Sequence, residues 1–454
     1  MKQAVPTMFD KDVKDTEALA PISTSRSGEV EDTSQAVMHD AVFGDITEDG
    51  PNYRNVGWLG TSALMMKTQI GLGVLSIPAA FNTLGLVPGV LCLLAIGGIT
   101  TWSNYMVGIF KLNHPEVYGI DDAGRLMFGR IGREVLGLGF ILYEVFAIGS
   151  GMLGVSIGLN AVSSHGACTV VFVTVAAIVV FCFAIFVVTI GVGVEDRPGD
   201  APQFGPWEPD YKIIGQPTFA EAISAVATFV FAYAGTPVFF PIAAEMRQPR
   251  HYAKALILCQ TVVTVVYVTV GVVVYYYCGS YVASPALGSA GKLIKQIGYG
   301  IALPGLVVSA TLNTHVISKY LFVRILRGFR HLTSNTFVHW ATWLGCVFTI
   351  AVVAYCIASG IPSFGALVSL VGALLGTLQC FQPMGCMWLY DNWSTSKEQR
   401  NLRWKAMVGW SAFVIISGTF LMIGGTYGAV LGVIDSYKTK GGSPWSCADN
   451  SNSH

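Results

Sequence analysis

Ten stretches of this chain are each long and apolar enough to cross a bilayer, and that repetition narrows the fold more than any other feature. They fall at residues 57–80, 84–110, 134–162, 167–194, 218–242, 254–279, 299–322, 337–358, 362–390 and 406–433. A hydrocarbon core about 30 Å thick needs roughly 20 apolar residues per helix, so the runs predict an all-α polytopic membrane protein. Composition agrees: 12% of the residues are charged and the mean hydropathy is +0.56, against about 25% charged in a globular protein. The connectors are short, so residues 57–435 read as one integral domain, followed by a short tail over 436–454. Residues 1–56 differ in kind. They hold acidic residues from Asp10 to Asp49 and few hydrophobic runs, which predicts a soluble, disordered tail. With no basic stretch leading into an apolar segment and a small-residue cleavage site, no cleaved leader is expected; the first apolar helix directs insertion.

Orientation follows from the basic residues, because Lys and Arg near helix ends are retained in the cytoplasm. Four clusters stand out: Lys111 with Arg125, Arg130 and Arg133; Arg247 with Arg250 and Lys254; Arg324 with Arg327 and Arg330; and Lys397 with Arg400, Arg403 and Lys405. All four are placed inside, with the N-terminus. Between the first two clusters the chain must then cross an even number of times, yet three apolar runs lie there. The run at 167–194 is longer than one crossing needs and shorter than the roughly 36 residues of two minimal crossings. It is followed by an acidic, proline-rich stretch that reads as an external loop. Either residues 167–194 begin and end outside, which is the preferred reading, or they cross once and leave that loop inside.

Two of the runs contain helix breakers. KTQIGLGVLSIPAAF carries Gly71, Gly73 and Pro78, and FAYAGTPVFFPIAAEMRQP carries Gly235, Pro237 and Pro241. Gly costs about 1 kcal/mol in a helix and Pro about 3 kcal/mol, and backbone freed in hydrocarbon costs more unless it lines a polar cavity. The N–H groups of a half-helix N-terminus suit a carboxylate and unwound carbonyls suit an ammonium or a cation, so two such breaks together suit a zwitterion. A pair of packing kinks is the bland alternative.

These two motifs, with NTHVISKYLFVRIL further on, resemble the amino acid/auxin permease family, most closely its fungal neutral amino acid permeases of the methyltryptophan-resistance type, over residues 53–435. The resemblance implies a LeuT-like fold of two inverted five-helix repeats, with substrate between broken helices one and six and proton-coupled uptake of neutral aliphatic and aromatic amino acids. It implies Ile70, Gly71, Leu72 and Gly73 around the substrate carboxylate, and Phe231, Tyr233, Gly235 and Thr236 around the amine and side chain. The plasma membrane is the implied residence, with the vacuolar membrane as the alternative. The family usually has eleven helices, with the fourth and fifth separate. Here they are fused into 167–194, where the parity argument also fails, which leaves a non-transporting sensor or a transport-defective isoform as the rival readings.

Ionisable residues inside apolar runs are functional candidates because a central charge costs at least about 2.5–3.5 kcal/mol. Lys67, one turn before the first break, is a candidate for a cation position that favours protons over sodium; a structural lysine is the alternative. Glu144 is a candidate protonatable carboxylate or a structural partner of Lys67 or of tyrosine side chains. Thr311, Thr314, His315 and Ser318 share one helical face and read equally as an ion path or as glue between helices. No G-x-S-x-G elbow, Walker A loop or paired carboxylate motif is present, and GLGVLS lacks the strand and acidic residue of a dinucleotide site, which argues against an enzyme. No CxxC or HExxH spacing calls for a metal; no cofactor and no nucleic acid are expected, the partners being substrate, coupling proton and lipid.

Overall fold

The structure, a computed structural model, describes residues 38–40, 44–46, 56–163, 201, 208–326, 329, 331, 336–360, 363–394 and 400–439. In the acidic tail, β1 (Met38–Asp40) and β2 (Gly44–Ile46) pair antiparallel, Met38 opposite Ile46. The helices that follow are α1 (Trp58–Gln69), α2 (Ile77–Leu84), α3 (Leu86–Asn113), α4 (Ile120–Ser163), α5 (Phe219–Tyr233) and α6 (Thr236–Ala244). Beyond them come α7 (Tyr252–Cys278), α8 (Lys292–Leu326), α9 (Phe337–Gly360), α10 (Phe364–Asn392) and α11 (Leu402–Thr439). Among the described residues, eight segments are long and apolar enough to span a bilayer, and the bent pair of α1 and the stretch from Gly73 to Leu84 makes a ninth. They coincide with nine of the ten expected runs; the tenth, at 167–194, lies outside the described residues.

Burial sorts these helices. The span made by α5 and α6 is 83% buried, whereas α9 and α11 are 17% buried and present Leu344, Phe348, Ile416 and Ile423 outward. A helix apolar on every face belongs in the centre of a bundle or against lipid, so α5–α6 forms the axis and α9 and α11 the rim. Close approach to that axis selects small residues. A Cβ on Gly372 of α10 would lie 2.1 Å from the Ala227 carbonyl oxygen of α5, so only glycine permits that contact.

The two ends of the bundle are chemically distinct. At one end Val56 bridges Met246, Arg247 N–H donates to the Val56 carbonyl at 2.9 Å, Lys319 pairs with Glu245 at 3.9 Å and Asn113 donates to Asp391 at 2.8 Å. The described members of all four basic clusters gather there; Arg327, Arg330 and Lys397 lie outside the described residues. Trp388, Trp393 and Trp404 cluster at the same end, as side chains with an apolar body and a polar N–H do at a membrane–water boundary. At the opposite end Gly215 N–H donates to the Leu84 carbonyl at 2.8 Å and Leu86 N–H to the Lys212 carbonyl at 2.9 Å. Gly85 turns that corner at φ 89°, a left-handed conformation that glycine adopts without strain.

These positions bear on the crossing count. The α4 helix starts at the basic end, and its Gly149 already lies beside Ala354 and Ile357, near the far end of α9. The α5 helix starts beside Gly215 at that same far end. The end of α4 and the start of α5 therefore lie on one side of the bundle, and among the described residues α4 and the α5–α6 span supply two crossings between the first two basic clusters.

Candidate functional site

The helix breaks meet in the centre. The α1 helix stops at Gln69 because Ile70 (φ −73°, ψ 84°) and Gly71 (φ −144°, ψ −141°) leave helical geometry. A 3₁₀ turn, Leu72–Ser76, then leads into α2, bent by 40° from α1. In the second span α5 stops at Tyr233, Ala234 (φ −79°, ψ 44°) is non-helical, and α6 restarts with Pro237 in its first turn, where the missing N–H of proline costs nothing. Glycine lets the breaks touch: a Cβ on Gly73 would lie 2.6 Å from Ala232 Cα, and one on Gly235 would lie 2.9 Å from Thr68 Oγ1.

A cavity of about 50 Å³ opens beside the crossing, bounded by Gly71, Gly73, Phe231, Ala232, Ala234 and Gly235 from the breaks. Tyr143, Glu144 and Ala147 of α4 and Ser309 and Asn313 of α8 close its other side. A second cavity, of about 300 Å³, runs from there to the basic end, past Lys67, Tyr118, Glu245, His315 and Lys319. Thr68, Glu144, Val238 and Asn313 border both. These four side chains stand between the inner cavity and the wider one that reaches the basic end.

Glu144 is the only carboxylate on the inner cavity among the described residues. It is 3% exposed and has no hydrogen-bond or ion-pair partner among the described residues. Burying a carboxyl without a partner is costly when it is ionised, so the site favours its neutral form or a bound cation beside it. Lys67, half-buried on the wider cavity, makes no ion pair with Glu144 or with any other described residue.

The carbonyls freed at the breaks are mostly engaged by the protein. Tyr267 Oη lies 2.6 Å from the Gln69 carbonyl oxygen and 2.7 Å from that of Ala232, and Gln69 Nε2 donates to the Tyr233 carbonyl at 3.1 Å. The N–H groups opening the 3₁₀ turn have no bond within that turn. The break therefore offers donors for an anionic group, and the carboxyl facing the same cavity is that of Glu144.

Of the residues singled out from the sequence, Gly71, Gly73, Phe231 and Gly235 border the inner cavity. Phe231 stands 6.4 Å, ring to ring, from Tyr143. Tyr233 and Thr236 are buried but face elsewhere: the Tyr233 hydroxyl donates to Thr264 Oγ1 at 3.1 Å. Ile70 packs against the core, and the Leu72 side chain lies outside what is described. On α8, His315 borders the wider cavity and stacks edgewise on Trp343 at 5.2 Å. Thr311 and Thr314 donate to their own helix at Val307 and Ala310, and Ser318 is buried with no partner for its hydroxyl among the described residues. The α8 face that reaches the inner cavity is instead that of Ser309 and Asn313, four residues apart. A polar amide in an apolar run was the available signal for Asn313, and likewise for Gln69 and Gln260.

Broken, crossed helices around a central polar cavity inside an apolar helical bundle are the architecture of a membrane transporter. The chain belongs to the transmembrane amino acid transporter protein family, whose profile it matches over residues 54–190 and again over 171–431. It is 32% identical to a transmembrane transporter of Gibberella moniliformis, over 99% of this chain and 98% of that one. It is 31% identical to the N amino acid transport system protein of Neurospora crassa, over 97% and 99%. Among solved structures it aligns with a nucleobase-cation-symport-1 family transporter in a closed conformation, at 14% identity and a TM-score of 0.46 over 88% of this chain and 96% of that chain.

Proposed function

We propose that this chain is a secondary carrier that imports neutral aliphatic and aromatic amino acids by proton symport, cycling by alternating access on a LeuT-like inverted-repeat scaffold in the plasma membrane, with its N-terminus and basic end in the cytoplasm. The observation that carries the reading is Glu144: a buried carboxyl, without a partner among the described residues, that borders both the inner cavity and the wider cavity toward the basic end. Protonated, it is neutral and leaves the site uncharged; deprotonated, it requires a compensating cation. A carboxyl so placed links substrate occupancy to proton occupancy. Amino acid transport in the Neurospora crassa relative supports the substrate class, and the aromatic Tyr143 and Phe231 walls suit an apolar side chain.

The test is uptake of labelled leucine and phenylalanine at pH 5 and pH 7.5, with and without a protonophore, in cells lacking their own permeases. Faster uptake at acid pH, lost with the protonophore, is the expected result. Glu144→Gln should bring the ratio of rates at the two pH values close to one. An unchanged ratio would assign Glu144 to structure.

A second reading rests on one observation. Residues 171–190 belong to both stretches that match the family profile, ending the first and opening the second, so one segment of this chain stands where the family has two. A chain short of one scaffold helix would bind substrate without cycling, as a sensor or as a transport-defective isoform. Surface-localised protein that binds leucine but shows no flux would establish it.

A further inference from the structure

Besides the direct bond from Gln69 to the Tyr233 carbonyl, a side chain that belongs to neither broken helix joins the two breaks. Tyr267 of α7 is fully buried, and its hydroxyl oxygen lies within hydrogen-bond distance of the Gln69 carbonyl at the end of α1 and of the Ala232 carbonyl near the end of α5. Helix C-termini leave carbonyls without intrahelical donors, and in hydrocarbon such groups must find protein partners. A phenol carries one hydrogen, so it donates to one of these carbonyls at a time, and the ends of α1 and α5 share a single donor.

The same face of α7 reinforces the junction. Gln260 Nε2 donates to Gln69 Oε1 at 3.0 Å, Thr264 receives the Tyr233 hydroxyl at 3.1 Å, and Gln260, Thr264 and Tyr267 follow a spacing of four and three along the helix. The Tyr267 ring also meets Tyr233 edge to face at 4.9 Å. None of these three α7 residues borders the inner cavity. The contact therefore acts on the two half-helices and leaves the substrate untouched.

We propose that Tyr267 is a positioning residue that ties α1 to α5 through its hydroxyl, so that the rate at which these two half-helices part and rejoin, and not substrate affinity, is set by this contact. The proposal rests on the carrier reading above. Its test is Tyr267→Phe, which keeps the ring and removes the donor. At matched surface density, maximal uptake should fall about tenfold, because the step in which α1 and α5 rejoin loses one hydrogen bond of ordinary net strength, with KM changed by less than about twofold. An unchanged maximal rate, or a raised KM at full rate, overturns it.

A second measurement is independent of flux. A cysteine introduced at Thr68, half-buried on α1 between the two cavities, is labelled with a small maleimide both in the otherwise unaltered chain and in the Tyr267→Phe variant, the chain without that cysteine serving as blank. Removing the hydroxyl should speed labelling at least severalfold, because the bond from Gln69 to the Tyr233 carbonyl is then left to hold α1 to α5 without it; equal rates overturn the proposal. If the chain with Tyr267 intact takes up no amino acid, the carrier reading fails, while the labelling comparison still decides the role of the hydroxyl.

Discussion

Gly71 and Gly73 lie two residues apart in one break and meet different surroundings. A Cβ on Gly71 would find only the Gln69 carbonyl oxygen and Ser309 Oγ, both at 4.0 Å, whereas one on Gly73 would enter the backbone of Ala232. Gly73→Leu would therefore push the broken helices apart, at the roughly 1–3 kcal/mol or more that overpacking costs, and would report on packing rather than on the ligand. Gly71→Val is the more informative change. It should lower uptake at least about tenfold, mainly through a raised KM, while the purified protein melts within a few degrees of the parent; uptake with an unchanged KM would remove Gly71 from the site. The sequence presented these glycines as one motif, and their division of labour appears only when α5 is laid against them. Glu144 illustrates the converse. Its place in an apolar run marked it either as a protonatable carboxylate or as a structural partner of Lys67 or of tyrosine side chains, and the structure adds what the run could not: that among the described residues neither Lys67 nor a tyrosine hydroxyl satisfies it.

Among elements, the breaks were legible because glycine and proline act on their own backbone, and the proline-opened restart of α6 is a local matter. The helix facing the breaks was not. On α8 the polar residues at 311, 314, 315 and 318 share a face, but a threonine hydroxyl bonded to its own helix needs no partner outside it, so polarity alone does not point to the cavity. The far end of the bundle has its own electrostatics. Asp210 accepts from the N–H of Ser280 at 2.7 Å and from its hydroxyl at 2.5 Å, pinning the segment before α5 to the turn after α7. Partial burial tends to raise this carboxyl, but the Ser280 hydrogen bonds outweigh it and hold the group below the usual carboxylate range. A depressed pKa stabilises the fold above the ordinary value near about 4 and loses that contribution as pH falls through the folded value. Asp210→Asn should thus lower the melting temperature at pH 7, and its difference from the parent should shrink below about pH 4. The effect is small because the group is exposed; a difference independent of pH would assign it to geometry rather than charge.

For the whole molecule, the described members of the basic clusters read from the sequence meet at one end of the bundle, the end proposed above to face the cytoplasm. Asn392, in the sequon Asn392-Trp393-Ser394, sits at the basic end, where its carbonyl accepts from Trp404 Nε1 at 3.1 Å. With that end in the cytoplasm, glycosidase treatment should leave the mobility of the expressed protein unchanged, and an N-terminal epitope should be reached by antibody only after permeabilisation; a glycan on Asn392 would reverse the orientation. The number of apolar runs, the positions of the breaks and the basic ends were determined by the sequence alone, because each depends on a residue's own backbone or on its transfer from water to hydrocarbon. Which side chains face the cavity, that Gln69, Ala232 and Tyr233 have their carbonyls engaged from within, and that Tyr267 of α7 joins two helices distant in sequence were decided by tertiary structure. Those are relations between surfaces, and a helical period fixes which residues share a face but not what that face meets.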